Sequence, residues 1–219
     1  MQEKTHFLSH RLEKCYTGAV HDVLREAGHR HFGLPHEIRP LDPSFRLAGP
    51  AFTFSGRFEE GMDPHETVLR WTEMLTIAPA GCVLVCQPNN DTVAHMGELS
   101  AETLKLRGVK GYVVDGGCRD TEFILRIGFK VFCRYVTPMD IVGCWVPERY
   151  GEPVTVGAAT IRTDDWIIGD RDGVIAIPGD VVESTLEETE RIMHTESMVR
   201  KSILAGVDPK DAYLEYGKF

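Results

Sequence analysis

The stretch 95–120, HMGELSAETLKLRGVKGYVVDGGCRD, gathers the residue types with the most chemical potential in the chain. Gly97 precedes a helix-like run that opens on Glu98. The first N–H groups of such a helix lack intrahelical acceptors, and they and the helix dipole together favour an anion. A glycine before a helix is weak evidence alone, since most such termini bind only water. An apolar run, Tyr112 to Asp115, then breaks into Gly116-Gly117-Cys118-Arg119-Asp120. In open α/β sheets the loop beyond a strand's carboxyl end is the usual ligand position. Arg119 offers a planar fork that matches a carboxylate, and Asp120 a hard oxygen ligand suited to Mg²⁺ or Mn²⁺. The same pair also reads as a helix N-cap, Asp120, beside a surface cation.

A second candidate lies far along the chain. Residues 184–206 read as a helix that starts on a capping-box pattern, Ser184 to Glu187, and ends at Gly206. On a helical wheel Leu186, Thr189, Ile192, Met193, Val199 and Ile203 share one face, and Glu196 falls near its middle. A carboxylate centred on an apolar stripe is costly unless a cation, water or proton satisfies it. It is either salt-bridged across a packing seam or delivered to a pocket.

The remaining pattern supplies the frame for these residues. A helix is expected over 9–28, then a loop whose His29, His31 and His36 share no face and no carboxylate. Strands are expected at 50–55, 82–87, 111–115, 130–133, 153–161, 166–168 and 173–177, and helices at about 64–77, 98–107 and 120–127. Strand–helix alternation followed by strand–turn–strand predicts a parallel sheet beside an antiparallel one.

Composition narrows the classes of function. The chain has 219 residues, 42% of them hydrophobic and 26% charged, and no stretch that looks like a linker. One α/β domain over 1–219 with a C-terminal helical extension is the expectation. A net charge of −9 argues against nucleic acid as the main partner. No apolar run approaches the roughly 20 residues of a membrane span, and the charged N-terminus lacks a signal-like apolar core. The six cysteines show no disulfide or zinc spacing, several sitting inside apolar runs. A cytoplasmic location is expected.

The helix start, the spacing of some twenty residues and the DG-x-x-RD ending resemble the signature of the 4-hydroxy-4-methyl-2-oxoglutarate aldolase family, which includes RraA-like regulators of ribonuclease E. The resemblance extends through LAGPAFTF (47–54), PAGCVLV (79–85), GFKVFCRYVTPMD (128–140), VGAATIRTDDWIIGDRDGVIAIP (156–178) and the tail ERIMHTESMVRKSILAG. It implies a three-layer β/β/α, swivelling-type fold, assembled as a homotrimer or homohexamer with active sites between subunits. It also implies that Gly97, the amides of Leu99 and Ser100, and the Arg119 side chain hold a pyruvyl carboxylate. Asp120 would ligate Mg²⁺ or Mn²⁺ directly, with Glu98 and Glu196 acting through water, Glu196 from a neighbouring subunit.

The implied activity is divalent-metal-dependent retro-aldol cleavage of 4-hydroxy-2-oxo acids to pyruvate, with decarboxylation of oxaloacetate. The alternative is a non-catalytic regulator that binds a ribonuclease. A Schiff-base aldolase would need a desolvated lysine, whereas Lys105 and Lys110 sit in polar surroundings. A methyltransferase-like reading of VVDGG lacks the further glycine such a site needs. One departure stands out: the family signature carries an acid three residues after the metal-binding Asp, where this chain has Phe123, with Glu122 beside it. His95 and Cys118 also differ from the apolar residues common there, so substrate choice is expected to differ.

Overall fold

The computed structural model of the chain describes residues 2–218. In chain order the elements are α1 (Gln2–Leu12), α2 (Thr17–Glu26), β1 (Arg39–Pro40), β2 (Leu47–Phe58), α3 (Pro64–Ile77), β3 (Val83–Gln87) and α4 (Glu98–Leu106). Next come β4 (Gly111–Val114), β5 (Gly117–Cys118), α5 (Thr121–Ile127), β6 (Lys130–Cys133), β7 (Tyr135–Val136) and β8 (Trp145–Tyr150). The chain closes with β9 (Val154–Val156), β10 (Ala159–Ile161), β11 (Trp166–Asp170), β12 (Gly173–Ile177), α6 (Val182–Leu204) and α7 (Pro209–Tyr216).

The main sheet runs β1-β6-β4-β3-β2-β11-β12, with β8 also paired to β2. Its centre, β2-β3-β4-β6, is parallel, and the pairings β1–β6, β2–β11, β11–β12 and β2–β8 are antiparallel. The mixed sheet expected from the alternation is thus present, with α3, α4 and α5 as the crossovers between parallel strands. Both faces are covered, which is why strands such as β4 are apolar throughout rather than alternating. On one face α3, α4 and α5 enclose a core that includes Phe54, Met74, Leu104, Tyr112 and Trp145. The β9–β10 hairpin closes the other over Val85, Val113, Phe132 and Ile167. That is the three-layer β/β/α arrangement, and α1, α2 and α6 pack a further core against β11 and β12.

Strand β2 joins these layers. It pairs with β11, β3 and β8 along its twelve residues and shifts register at Ser55/Gly56, opposite Pro147. Gly56 is needed there: a Cβ would lie 2.1 Å from the Trp145 ring. Pro147 explains why β8 escapes a pattern reading, since a proline argues against a strand except at an edge or bulge.

Two helix expectations need correction. The single helix over 9–28 is two helices, α1 and α2, separated at Tyr16, whose backbone is extended (φ −118°, ψ 152°). Both the backbone N–H and the Oγ1 hydroxyl of Thr17 donate to the buried carboxylate of Asp170, each at 2.8 Å, so a side chain 153 residues away starts the second helix. The capping box at Ser184 does not form either. The helix begins at Val182 from a preceding 3₁₀ turn, Gly179–Val181, and Ser184 Oγ donates back to the Val181 carbonyl. The helix α7 after it was not expected; Asp208 caps it, accepting from the Lys210 N–H, with Pro209 in its first turn. Among the described residues no helix is long and apolar enough to cross a membrane.

Candidate active site

The segment 94–96 lies alongside 117–119. Ala94 bridges Gly117, the His95 N–H donates to the Gly117 carbonyl, and the Arg119 N–H donates to the Met96 carbonyl. This pairing brings the head of α4 against the loop that precedes α5. Gly97 is the N-cap of α4 in an extended conformation, and a Cβ there would lie 2.7 Å from Asp120 Oδ2. Glycine is therefore required by space rather than by backbone angle. The absence of that side chain lets the Glu98 N–H donate to Asp120 Oδ2 at 3.1 Å.

Asp120 does not serve as the side-chain cap that its position allows. It occupies the N-cap position of α5, yet its backbone is left-handed (φ 55°, ψ 33°) and its side chain caps nothing on that helix. Aspartate tolerates this region better than most residues, but a non-glycine residue held there carries strain that tends to mark functional loops. The carboxylate turns instead to Glu98 N and lies 3.4 Å from Nε of Arg119. Nη1 of Arg119 donates to Asp140 Oδ2 at 3.0 Å. Asp140 is a site residue that the sequence did not single out. Its only signal is the sequence PMD within the 128–140 motif, because the pairing spans twenty-one residues and depends on how the 139–142 turn folds.

These groups form one end of a cavity of about 470 Å³. Leu99 and Ser100, in the first turn of α4, line the same end; helix geometry leaves their amides without intrahelical acceptors. Trp71 on α3, also missed, donates its indole N–H to Ser100 Oγ at 2.8 Å, which leaves the serine hydroxyl proton available to the cavity. Trp71 could have been suspected from its place on the buried face of α3, with Thr67, Met74 and Leu75. Beyond the polar end the wall is mainly apolar, formed by Val68, Trp71 and Leu75 of α3 with Ile141 and Val142, and interrupted by Thr72 and Thr103. His95 lines the floor at 1% exposure, edge-on to Trp145 at 4.9 Å, and neither ring nitrogen has a hydrogen-bond partner among the described residues. Burial pushes its pKa down to about 3, so the ring is neutral.

The structure thus brings together Gly97, Glu98, Leu99, Ser100, Arg119 and Asp120. It does not bring Glu196 to that cavity within the same chain. Glu196 is half-buried on α6, accepts a hydrogen bond from the Tyr16 hydroxyl, and lines a separate groove with Val199, Arg200 and Ile203. Phe123 is 40% exposed and Glu122 pairs with Arg126 on the surface of α5, so neither lines the cavity.

The ionisable oxygen donors at the polar end are the carboxylates of Glu98, Asp120 and Asp140. No group of three or more His, Cys, Asp or Glu side chains suited to a metal exists among the described residues, which does not suit a closed thiolate or imidazole cage. Mg²⁺ and Mn²⁺ make different demands: one or two carboxylates, with water and substrate oxygens completing the shell. Asp120, uncapped and facing the cavity beside Glu98, fits that chemistry.

The chain is similar to several known proteins. The model of a family described as RraA-like, Aldolase/RraA, matches residues 17–176. A protein of Halalkalibacterium halodurans provisionally named 4-hydroxy-4-methyl-2-oxoglutarate aldolase is 28% identical over 182 residues, 83% of each chain. A crystal structure described under novel cellulases from gut-associated microbes is 32% identical, with a TM-score of 0.82 over 88% of this chain and 86% of that one. The Streptomyces coelicolor protein RraAS2, described as an unusual member of the RNase ES inhibitor RraA family, shares the fold at 24% identity, with a TM-score of 0.77 over 88% of this chain and 95% of its own.

Proposed function

The chain belongs to the RraA-like family, and within it we propose that this protein is a divalent-metal-dependent lyase that breaks a carbon–carbon bond in a 2-oxo acid. One observation carries the reading: Asp120, strained and uncapped, meets the head of α4 beside an Arg119 that Asp140 holds in place, all on one cavity.

Arg119 and the Leu99 and Ser100 amides would bind the substrate carboxylate, since a guanidinium and a helix N-terminus both favour it. The Ser100 hydroxyl, oriented by Trp71, would donate to the same head group. Asp120 would hold Mg²⁺ or Mn²⁺, with Glu98 beside it acting through water. When bound, such an ion withdraws electrons from the 2-oxo group and stabilises the charge that develops as the C3–C4 bond breaks. In a retro-aldol cleavage the C4 hydroxyl must lose its proton, and Glu98, joined by Glu196 from a neighbouring subunit, would accept it through water. Decarboxylation of oxaloacetate breaks the corresponding bond with no hydroxyl proton to remove, so one site supports both reactions.

Assembly belongs to the same proposal, as a trimer or hexamer. Leu99 and Met139, at 76% and 60% exposure, lie on segments that border the cavity, which suits burial against a second copy. A glycosidase reading needs two independent carboxyl groups flanking the bond; Asp120 and Asp140 are both tied to Arg119, leaving Glu98 without such a partner. The ribonuclease-regulator reading rests on the shared fold, whereas the cavity favours an enzyme. The test is pyruvate release over a panel of 4-hydroxy-2-oxo acids and oxaloacetate, with and without Mg²⁺ or Mn²⁺. Release confined to the metal-supplemented reactions is expected. No release from any member would remove the lyase reading.

A further inference from the structure

The cavity has two unlike halves, and the second narrows the substrate. At the head, one guanidinium, Arg119, faces three carboxylates: Glu98, Asp120 and Asp140. That leaves the head two charges negative; a divalent ion cancels them, and the carboxylate of a 2-oxo acid then makes the loaded site singly negative. The far half is the mainly apolar wall of Val68, Trp71, Leu75, Ile141 and Val142, where the Thr72 and Thr103 hydroxyls donate to carbonyls of their own helices. Among the described residues Arg119 is the sole Lys or Arg lining the cavity, and both Asp120 and Asp140 already engage it. The one other basic side chain there, His95, is a neutral buried ring.

A substrate tail ending in a second carboxylate would therefore be desolvated against aliphatic side chains with no counter-ion, inside a site already negative. An alkyl or aryl tail meets the same wall favourably, gaining roughly 25 cal/mol for each Å² removed from water. The groove on α6 that Glu196 lines carries one charge of each sign, Glu196 and Arg200, so it offers no excess of positive charge. We propose that the far half of the cavity selects 2-oxo acids with an uncharged, apolar tail and disfavours those with a second carboxylate. This rests on the 2-oxo acid reading of the head and goes beyond it, since the retro-aldol reaction above leaves the tail of the substrate open and only oxaloacetate decarboxylation requires a second carboxylate.

Binding tests the proposal without turnover. Trp71 lines the wall, so its fluorescence can follow titration of the full-length protein, in Mg²⁺, with pyruvate, 2-oxo-4-methylpentanoate and 2-oxoglutarate. All three share one head; the second adds a branched alkyl tail and the third a charged one. The branched acid should bind at least about tenfold more tightly than 2-oxoglutarate. In Val142→Arg, which puts a guanidinium on the rim, the gap should narrow through a gain for 2-oxoglutarate. Equal or tighter binding of 2-oxoglutarate by the unaltered protein overturns the proposal and leaves the 2-oxo acid reading intact, provided pyruvate binds. A gap unchanged by Val142→Arg also overturns it, by placing the preference elsewhere than in the charge of the wall. Failure of all three ligands to bind removes the 2-oxo acid reading and the proposal together.

Discussion

Asp140 Oδ2 accepts from Nη1 of Arg119 at 3.0 Å while Asp120 Oδ2 lies 3.4 Å from Nε, so two carboxylates grip one guanidinium at two of its nitrogens. The remaining nitrogen, Nη2, has no side-chain partner of this kind among the described residues. Asp140 itself is held by the Val142 N–H, which donates to its Oδ1 at 3.1 Å. This makes Asp140 a positioning residue, and Asp140→Asn should weaken the grip without removing a group that touches substrate. The pair is about two-fifths exposed, so a loss of about 1–2 kcal/mol is expected, or roughly 5- to 30-fold in kcat/KM. The loss should fall mainly on KM, with Asp140→Glu recovering part of it. Steady-state kinetics of the three proteins decide the point, and a pure kcat effect would contradict the assignment.

Arg119→Lys should be nearly as damaging as Arg119→Ala. A lysine keeps the charge but cannot satisfy Asp140, Asp120 and a substrate carboxylate from one rigid fork. A loss of roughly 2–4 kcal/mol of transition-state binding is expected, about 30- to 1,000-fold in kcat/KM. Near-normal kinetics for the lysine variant would show that Arg119 is structural.

Removal of divalent ions should abolish turnover, and Mg²⁺ or Mn²⁺ should restore it. Asp120→Ala should lose the metal response itself, read by calorimetric titration of the ion with a 2-oxo acid present. Because the Asp120 carboxylate makes no cap bond on α5, the variant should still fold. Full activity after exhaustive chelation would end the metal mechanism.

What the sequence made legible, and what it hid, divides by range. Helix α3 is readable to the residue because its start is local: Asp63 caps it, accepting from the Glu66 N–H, and Pro64 opens its first turn. Strand β12 is equally plain, an apolar run bounded by turn residues. The segment 9–28 misleads because its break depends on Asp170, which no window over the N-terminus contains. At the site, Gly97, Glu98, Arg119 and Asp120 are legible because short runs hold them. Asp140 and Trp71 are not, since each becomes a site residue only when the α3–α4 and 139–142 segments converge. In the sequence Glu196 stands out as a carboxylate on an apolar face. It is instead half-buried with a local partner in Tyr16, a residue in the break between α1 and α2 that periodicity had erased.

His95 gives the protein a predictable acid sensitivity. Its pKa is pushed from 6.5 down to about 3 by burial, so the folded protein refuses a proton that the unfolded chain accepts. Stability from this source is complete above about pH 6.5 and is lost as pH falls towards 3, at a slope approaching ~1.4 kcal/mol per pH unit. His95→Leu removes that dependence and two unpartnered buried nitrogens. The variant should be at least as stable as the parent at pH 7 and increasingly more stable at pH 6 and 5. Urea unfolding at the three pH values measures the difference, and parallel losses in both proteins would refute it.

Glu196 should act in a neighbour's cavity. Within its own chain it lines a separate groove beside Arg200 and Ile203, and among the cavity's own lining it has no place. Its carboxylate, half-buried with one partner in Tyr16, still opens onto that groove, which suits a role where the groove meets another subunit. Glu196→Gln should therefore keep the oligomer and the metal while lowering aldol cleavage sharply, because removal of the C4 hydroxyl proton is impaired. Loss of oxaloacetate decarboxylation, which has no such proton to remove, should be smaller. Mixing separates a shared site from a private one. Subunits carrying Glu196→Gln spoil the half that α6 supplies, and subunits carrying Asp120→Ala spoil the half that α4 and α5 supply. Neither homogeneous assembly contains an intact site, but a mixed ring in which an Asp120 subunit meets a Glu196 subunit does. Cleavage should thus reappear on mixing and grow with the rate of subunit exchange, followed independently by fluorescence energy transfer between labelled chains. If exchange is complete and no activity returns, Glu196 serves its own chain or no site at all.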